Sequence, residues 1–186
     1  MKYSKLPNIK ILDESNKVLH QKSKEVTFPL DDETKQIIND ALDYLEMSQI
    51  DEYSEKYDLR PGMGLSFVQL GILKRIFVIS EDLGNNKFNR HIVINPVIVS
   101  KSEELIYVGE GEGCLSVNRE VEGIVPRNAR LTVEAYDEKG HLFTLRVRED
   151  MAVAFQHEID HLNGILFVDK IDKKNPYKNA DKMREI

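Results

Sequence analysis

Phe155-Gln156-His157-Glu158-Ile159-Asp160-His161-Leu162-Asn163-Gly164 contains an H-E-x-x-H run. In a helix, residues four apart lie one turn apart on the same face. His157 and His161 can then ligate one metal while Glu158 between them stays free for proton transfer. The flanks support a helix, because Glu149 and Asp150 suit its N-terminus and Asn163 with Gly164 suits its end. At about 100° per residue, Met151, Phe155, Ile159 and Leu162 form one apolar stripe, and Val153 lies on a different side. The expected helix is therefore largely buried. Buried imidazoles and carboxylates without partners are costly, and a metal ion would satisfy them. Asp160 lies on the other flank, open either to orienting a ligand histidine or to facing water. The pattern points to a metal-assisted hydrolase, and a solvated surface helix is the plain alternative.

Working outward, two histidines leave a hydrolytic metal one protein ligand short, since three ligands plus water is the common open arrangement. The single cysteine, Cys114, cannot form an internal disulfide. It lies in Gly109-Glu110-Gly111-Glu112-Gly113-Cys114-Leu115-Ser116 and is a candidate for the third position.

Upstream, Asp31-Asp32-Glu33 starts a helical pattern carrying Ile37, Ile38, Ala41, Leu42 and Leu45. Residues 48–61 are polar and read as a connection to Gly62-Met63-Gly64-Leu65. Strands are expected over 75–80 and 91–99, with Gly84, Asn85 and Asn86 turning between them. A hairpin is expected from 131–136 and 142–147 around Asp137-Glu138-Lys139-Gly140. The order predicts an α+β fold, with antiparallel β-sheets packed around a buried helix in the C-terminal half and an additional N-terminal helix. Residues 1–186 are expected to form a single catalytic domain.

The chain has 186 residues, 41% of them hydrophobic, and a net charge of -6. That charge argues against direct DNA binding. No apolar stretch reaches membrane-spanning length, and the N-terminus lacks the apolar core of a signal peptide, so the expected location is cytoplasmic. The lysine-containing segment 170–184 reads as a solvated end or as a docking arm for an anionic partner.

Three segments resemble the signature motifs of peptide deformylases, in order and at suitable separations: Gly62-Met63-Gly64-Leu65-Ser66-Phe67-Val68-Gln69, Glu112-Gly113-Cys114-Leu115-Ser116 and Gln156-His157-Glu158-Ile159-Asp160-His161. The first departs from the family pattern, which typically has two alanines where this chain has Ser66 and Phe67. The connection before Gly62 and the wording around His161 look closer to the Gram-positive type II group than to type I. The resemblance implies one divalent metal ion on Cys114, His157 and His161, most often Fe(II), although Zn, Ni or Co also suit such ligands. It implies that Glu158 moves the proton, and that the Gln69 amide and Leu115 backbone N–H stabilise the formyl oxygen. Met63, Gly64 and Gly113 would bind the substrate backbone. The implied partners are N-formylmethionyl nascent peptides, which would release formate, with a possible transient contact to the ribosome. Glu112 and Arg127 match a family ion pair propping the cysteine loop. Phe67 beside the metal helix should need room from Ala152 and Ala154, or else displace Gln69.

Two other readings remain. A zincin-type metallopeptidase has the same H-E-x-x-H run, but its extended pattern wants a third histidine where Phe167 stands. A catalytically weakened metal-binding paralogue is suggested by the altered first motif.

Overall fold

A computed structural model describes residues 3–186. Helix α1 spans Asp32–Ser48, with Asp31 accepting the Thr34 backbone N–H at 2.6 Å. The cap satisfies one of the donors that a helix start leaves open. Ile38, Ala41, Leu42 and Leu45 form the buried face of α1, as their spacing predicts.

The polar stretch expected to be a plain connection contains a further helix, α2 (Asp51–Tyr57). Its buried anchor is Tyr53, which meets Tyr3 edge-on and packs with Met47 and Ile50. One aromatic among charged residues gives too little periodicity to reveal so short a helix.

Strand β1 (Gly64–Ser66) leads to β2 (Ile76–Asp82), β3 (Phe88–Lys101) and β4 (Leu105–Tyr107). The short β5 (Arg127–Asn128) precedes the hairpin β6 (Arg130–Tyr136) and β7 (Leu142–Arg148). A five-stranded sheet runs β1-β2-β3-β6-β7, antiparallel at every step. Left-handed φ values at Gly84, Asn85 and Asn86 make the β2–β3 turn, which is the backbone their residue types tolerate.

The second sheet runs β5-β4-β8, where β8 is Arg184–Glu185. Its β4–β8 pairing is parallel, a two-residue exception in an otherwise antiparallel arrangement. The segment 170–184 is largely exposed, as a solvated end would be, and this pairing fastens its last residues. Arg184 binds Glu149 and Glu104, and Ile186 donates its N–H to the Tyr107 carbonyl.

Helix α3 (Asp150–Leu162) lies between the two sheets. Its stripe of Met151, Phe155, Ile159 and Leu162 joins Phe77, Val93, Leu131 and Val133 from the large sheet. Val153 faces the other way, against Ile106 and Ala129 beside the small sheet. Phe155 and Leu162 are fully buried, each contributing about 1.5–3 kcal/mol. Glu149 occupies the N-cap position, but its side chain makes no capping bond and pairs with Arg184 instead. Asn163 ends the helix, and Gly164 follows at φ +75°. An added Cβ on Gly164 would lie 2.7 Å from the His20 backbone, so only glycine fits.

Candidate metal centre

Because α3 is clamped on both sides, its polar residues project from a fixed scaffold. His157 and His161 come together with ring centroids 5.0 Å apart. The loop after β4 brings Cys114 to them, its Sγ 3.3 Å from His161 Nε2. One donor atom from each of these three residues lies within 4.8 Å of the others. A tetrahedral ion about 2.3 Å from sulfur and about 2.0 Å from nitrogen would hold such donors roughly 3.5 Å apart. The donor set and its spacing therefore fit a divalent metal.

The surroundings orient the donors. Glu112 Oε1 accepts from His157 Nδ1 at 2.9 Å, which leaves Nε2 as the nitrogen available to a metal. Arg127 donates Nε and Nη2 to the same carboxylate at 2.8 and 2.9 Å, confirming the expected buried pair. Burial would raise the Glu112 carboxyl, but the bonds from His157 and Arg127 prevail and hold it at about 2. Burial alone would depress His157; its bonds to Cys114 and Glu112 instead lift it to about 10. Burial pushes His161 well below its ordinary value, assisted by the His157 and Arg127 charges, so its ring is neutral. His161 Nδ1 is buried with no hydrogen-bond partner among the described residues.

Asp160 does neither of the two things its position suggested. It accepts from Arg127 Nη1 at 2.6 Å and pairs with Lys170 at 3.1 Å, closing the ion-pair chain one step behind Glu112.

Glu158 is buried, and burial raises its carboxyl, opposed by His157 and by the Ser66 hydroxyl. Gln69 follows β1 in a 3-10 turn. Its Oε1 accepts the Ser66 N–H at 2.9 Å, fixing the amide so that Nε2 points to Ser116 Oγ at 3.0 Å and Cys114 Sγ at 3.7 Å. Phe67, expected beside the metal helix, packs instead with Leu42, Leu45 and Ile76 under α1. Ala152 belongs to the opposite cluster and makes no room for it, and Gln69 keeps its place. Strand β1 ends at Ser66 and Phe67 opens the 3-10 turn, and this change of backbone separates the two side chains.

A cavity of about 680 Å³ opens on the centre, with Cys114, His157, Glu158 and Gln69 on its wall. Met63, Gly64, Gly113 and Leu115 line it too, joined by Met151 and Ala154. Arg60 went unnoticed in the sequence. Its guanidinium donates to the carbonyls of Cys114 at 2.6 Å and Val117 at 2.8 Å, pinning the cysteine loop. Residue type cannot reveal a partner that is backbone.

Residues 9–177 match the family described as polypeptide deformylase. The chain belongs to that family. Membership brings with it metal-dependent removal of an N-formyl group, and the Cys114, His157 and His161 cluster fits the metal. The chain is 46% identical over 169 residues to the peptide deformylase of Halalkalibacterium halodurans, covering 90% of this chain and 93% of that one. It is 46% identical to the enzyme of Macrococcus caseolyticus, covering 90% and 92%. The type II assignment is consistent with these deformylase relatives. Among solved deformylases, the Thermus thermophilus structure superposes with a TM-score of 0.73 at 32% identity, covering 89% of this chain and 87% of that one. The Legionella pneumophila structure gives 0.72 at 32% identity, with the same coverage.

Proposed function

We propose that this chain hydrolyses the formyl group from the initiator methionine of nascent polypeptides, with Cys114, His157 and His161 as metal ligands. The observation that carries it is the convergence of those three donors with a buried carboxylate, Glu158, on one cavity wall. When bound, the divalent ion supplies an acidified water and a positive charge. Glu158 accepts a proton from the attacking water and later returns one to the leaving amine. Water adds to the formyl carbon and the C–N bond breaks, giving formate and a free amino terminus. The Gln69 Nε2 and the Leu115 backbone N–H donate to the formyl oxygen as negative charge gathers there.

Among the described residues β1 is an edge strand, paired only with β2. Met63 and Gly64 on that edge, with Gly113 across the cavity, offer backbone to an extended peptide. The apolar lining from Met63, Leu115, Met151 and Ala154 suits a methionine side chain.

Fe(II) is the proposed native ion, because a thiolate ligand donates charge and weakens a zinc Lewis acid. Residues 1–186 act as one catalytic domain, supported by α3 packing on both sheets. Exposed Lys173, Lys174 and Lys182 offer a transient ribosome contact. A cytoplasmic location fits such a substrate, and no helix among the described residues is long and apolar enough to cross a membrane.

The test is formate release from formyl-Met peptides by anaerobically purified protein, with elemental analysis. Activity should need one metal per chain, decline in air for the iron form, and vanish in Glu158→Ala with metal still bound. Cleavage of internal peptide bonds without regard to a formyl group would favour the peptidase reading. Metal binding without formate release would favour a weakened paralogue.

A further inference from the structure

The Ser66 hydroxyl is buried and put to a specific use. Ser66 Oγ lies 2.7 Å from Glu158 Oε2 and 3.0 Å from the Glu158 backbone carbonyl, with both residues buried. A hydroxyl has one proton, and the closer acceptor, the carboxylate oxygen at 2.7 Å, makes the stronger bond. The other carboxylate oxygen rests against Gly64, where an added Cβ would come within 2.7 Å of Oε1. Two residues of β1 thus grip the two oxygens of one carboxylate. β1 itself is fixed by pairing with β2, which places Ser66 opposite Phe77. The Ser66 N–H meanwhile holds Gln69 Oε1, so a single residue sets both the proton-transfer group and the amide donor.

We infer that Ser66 is a positioning residue for Glu158, its hydroxyl tethering Oε2 so that Oε1 stays beside Gly64 at the cavity wall. Alanine would keep the backbone bond to Gln69 and remove the hydroxyl's contacts with the Glu158 carboxylate and backbone carbonyl. The inference rests on the proposed role of Glu158.

The test compares Ser66→Ala and Ser66→Thr in formate release, with metal content measured on each sample. Ser66→Ala should lower kcat about tenfold and leave KM within about twofold, since the lost bond orients a reacting group rather than binding substrate. Metal per chain should be unchanged, and Ser66→Thr should restore kcat to within about threefold of the parent. Urea unfolding supplies a readout independent of turnover: Ser66→Ala should lower the midpoint more in the parent than in a Glu158→Ala background, where the hydroxyl keeps only the backbone carbonyl of residue 158 as acceptor. An unchanged kcat in Ser66→Ala, or an equal midpoint shift in both backgrounds, overturns the inference. Failure of the underlying reading is distinct, because Glu158→Ala would then retain formate release whatever Ser66 does.

Discussion

Glu112 and His157 share a hydrogen bond of 2.9 Å in which the carboxylate serves two masters, holding the imidazole through Oε1 and the Arg127 guanidinium through both oxygens. The side chain of Glu112 is 4% exposed and that of Arg127 1%. Replacing Glu112 by Ala breaks a buried pair and should cost about 3–5 kcal/mol in urea unfolding. The milder Glu112→Gln should weaken metal binding about 10–100-fold, read by competition with a chelator. Unaltered affinity would show that His157 needs no such support.

Arg60 acts on the same loop from outside. Arg60→Ala releases the carbonyls of Cys114 and Val117 from its guanidinium. Metal dissociation should accelerate about tenfold, by analogy with the loss of other outer partners, while the urea midpoint moves little because the side chain is exposed. Stopped-flow transfer of the ion to a chromogenic chelator measures it.

Phe67→Ala tests where that ring does its work. The ring is 1% exposed among α1 and β2 residues, so its loss should cost about 3–5 kcal/mol of stability. Metal content per folded chain should stay the same. A loss of metal with little loss of stability would place the ring's influence at the centre instead.

Asp31 provides a pH test. Its bonds from Thr34, with help from Lys74, hold the carboxyl below the ordinary value. A depressed folded value means that the charged form is favoured in the folded state. The stabilisation is complete above the ordinary carboxylate range and fades as pH falls through the folded value. The Tm difference between the parent and Asp31→Ala should therefore be widest near neutrality and narrow below about pH 4. A difference that does not change with pH would mean the cap works without its charge.

The helix carrying His157 and His161 was legible because its apolar periodicity and histidine spacing agree, and the structure brings Cys114 beside both histidines. The β6–β7 hairpin was legible for a similar reason, alternation around a turn. What escaped depends on partners remote in the chain. Arg60 meets backbone carbonyls, Asp160 reaches Arg127 rather than a ligand histidine, and β8 is two residues long with a parallel partner 78 positions away, Ile106 to Arg184. The departure at Ser66 and Phe67 was visible, but not the face each side chain takes. The strand ends between them, so Ser66 reaches Glu158 while Phe67, opening the 3-10 turn, packs beneath α1.

X-ray absorption at the zinc edge, on protein loaded with one equivalent of zinc, tests the ligand set most directly. The expected spectrum has one sulfur at about 2.3 Å and two imidazole nitrogens at about 2.0 Å, with the sulfur shell lost in Cys114→Ala. A first shell of nitrogen and oxygen alone in the parent protein would contradict the Cys114, His157 and His161 centre.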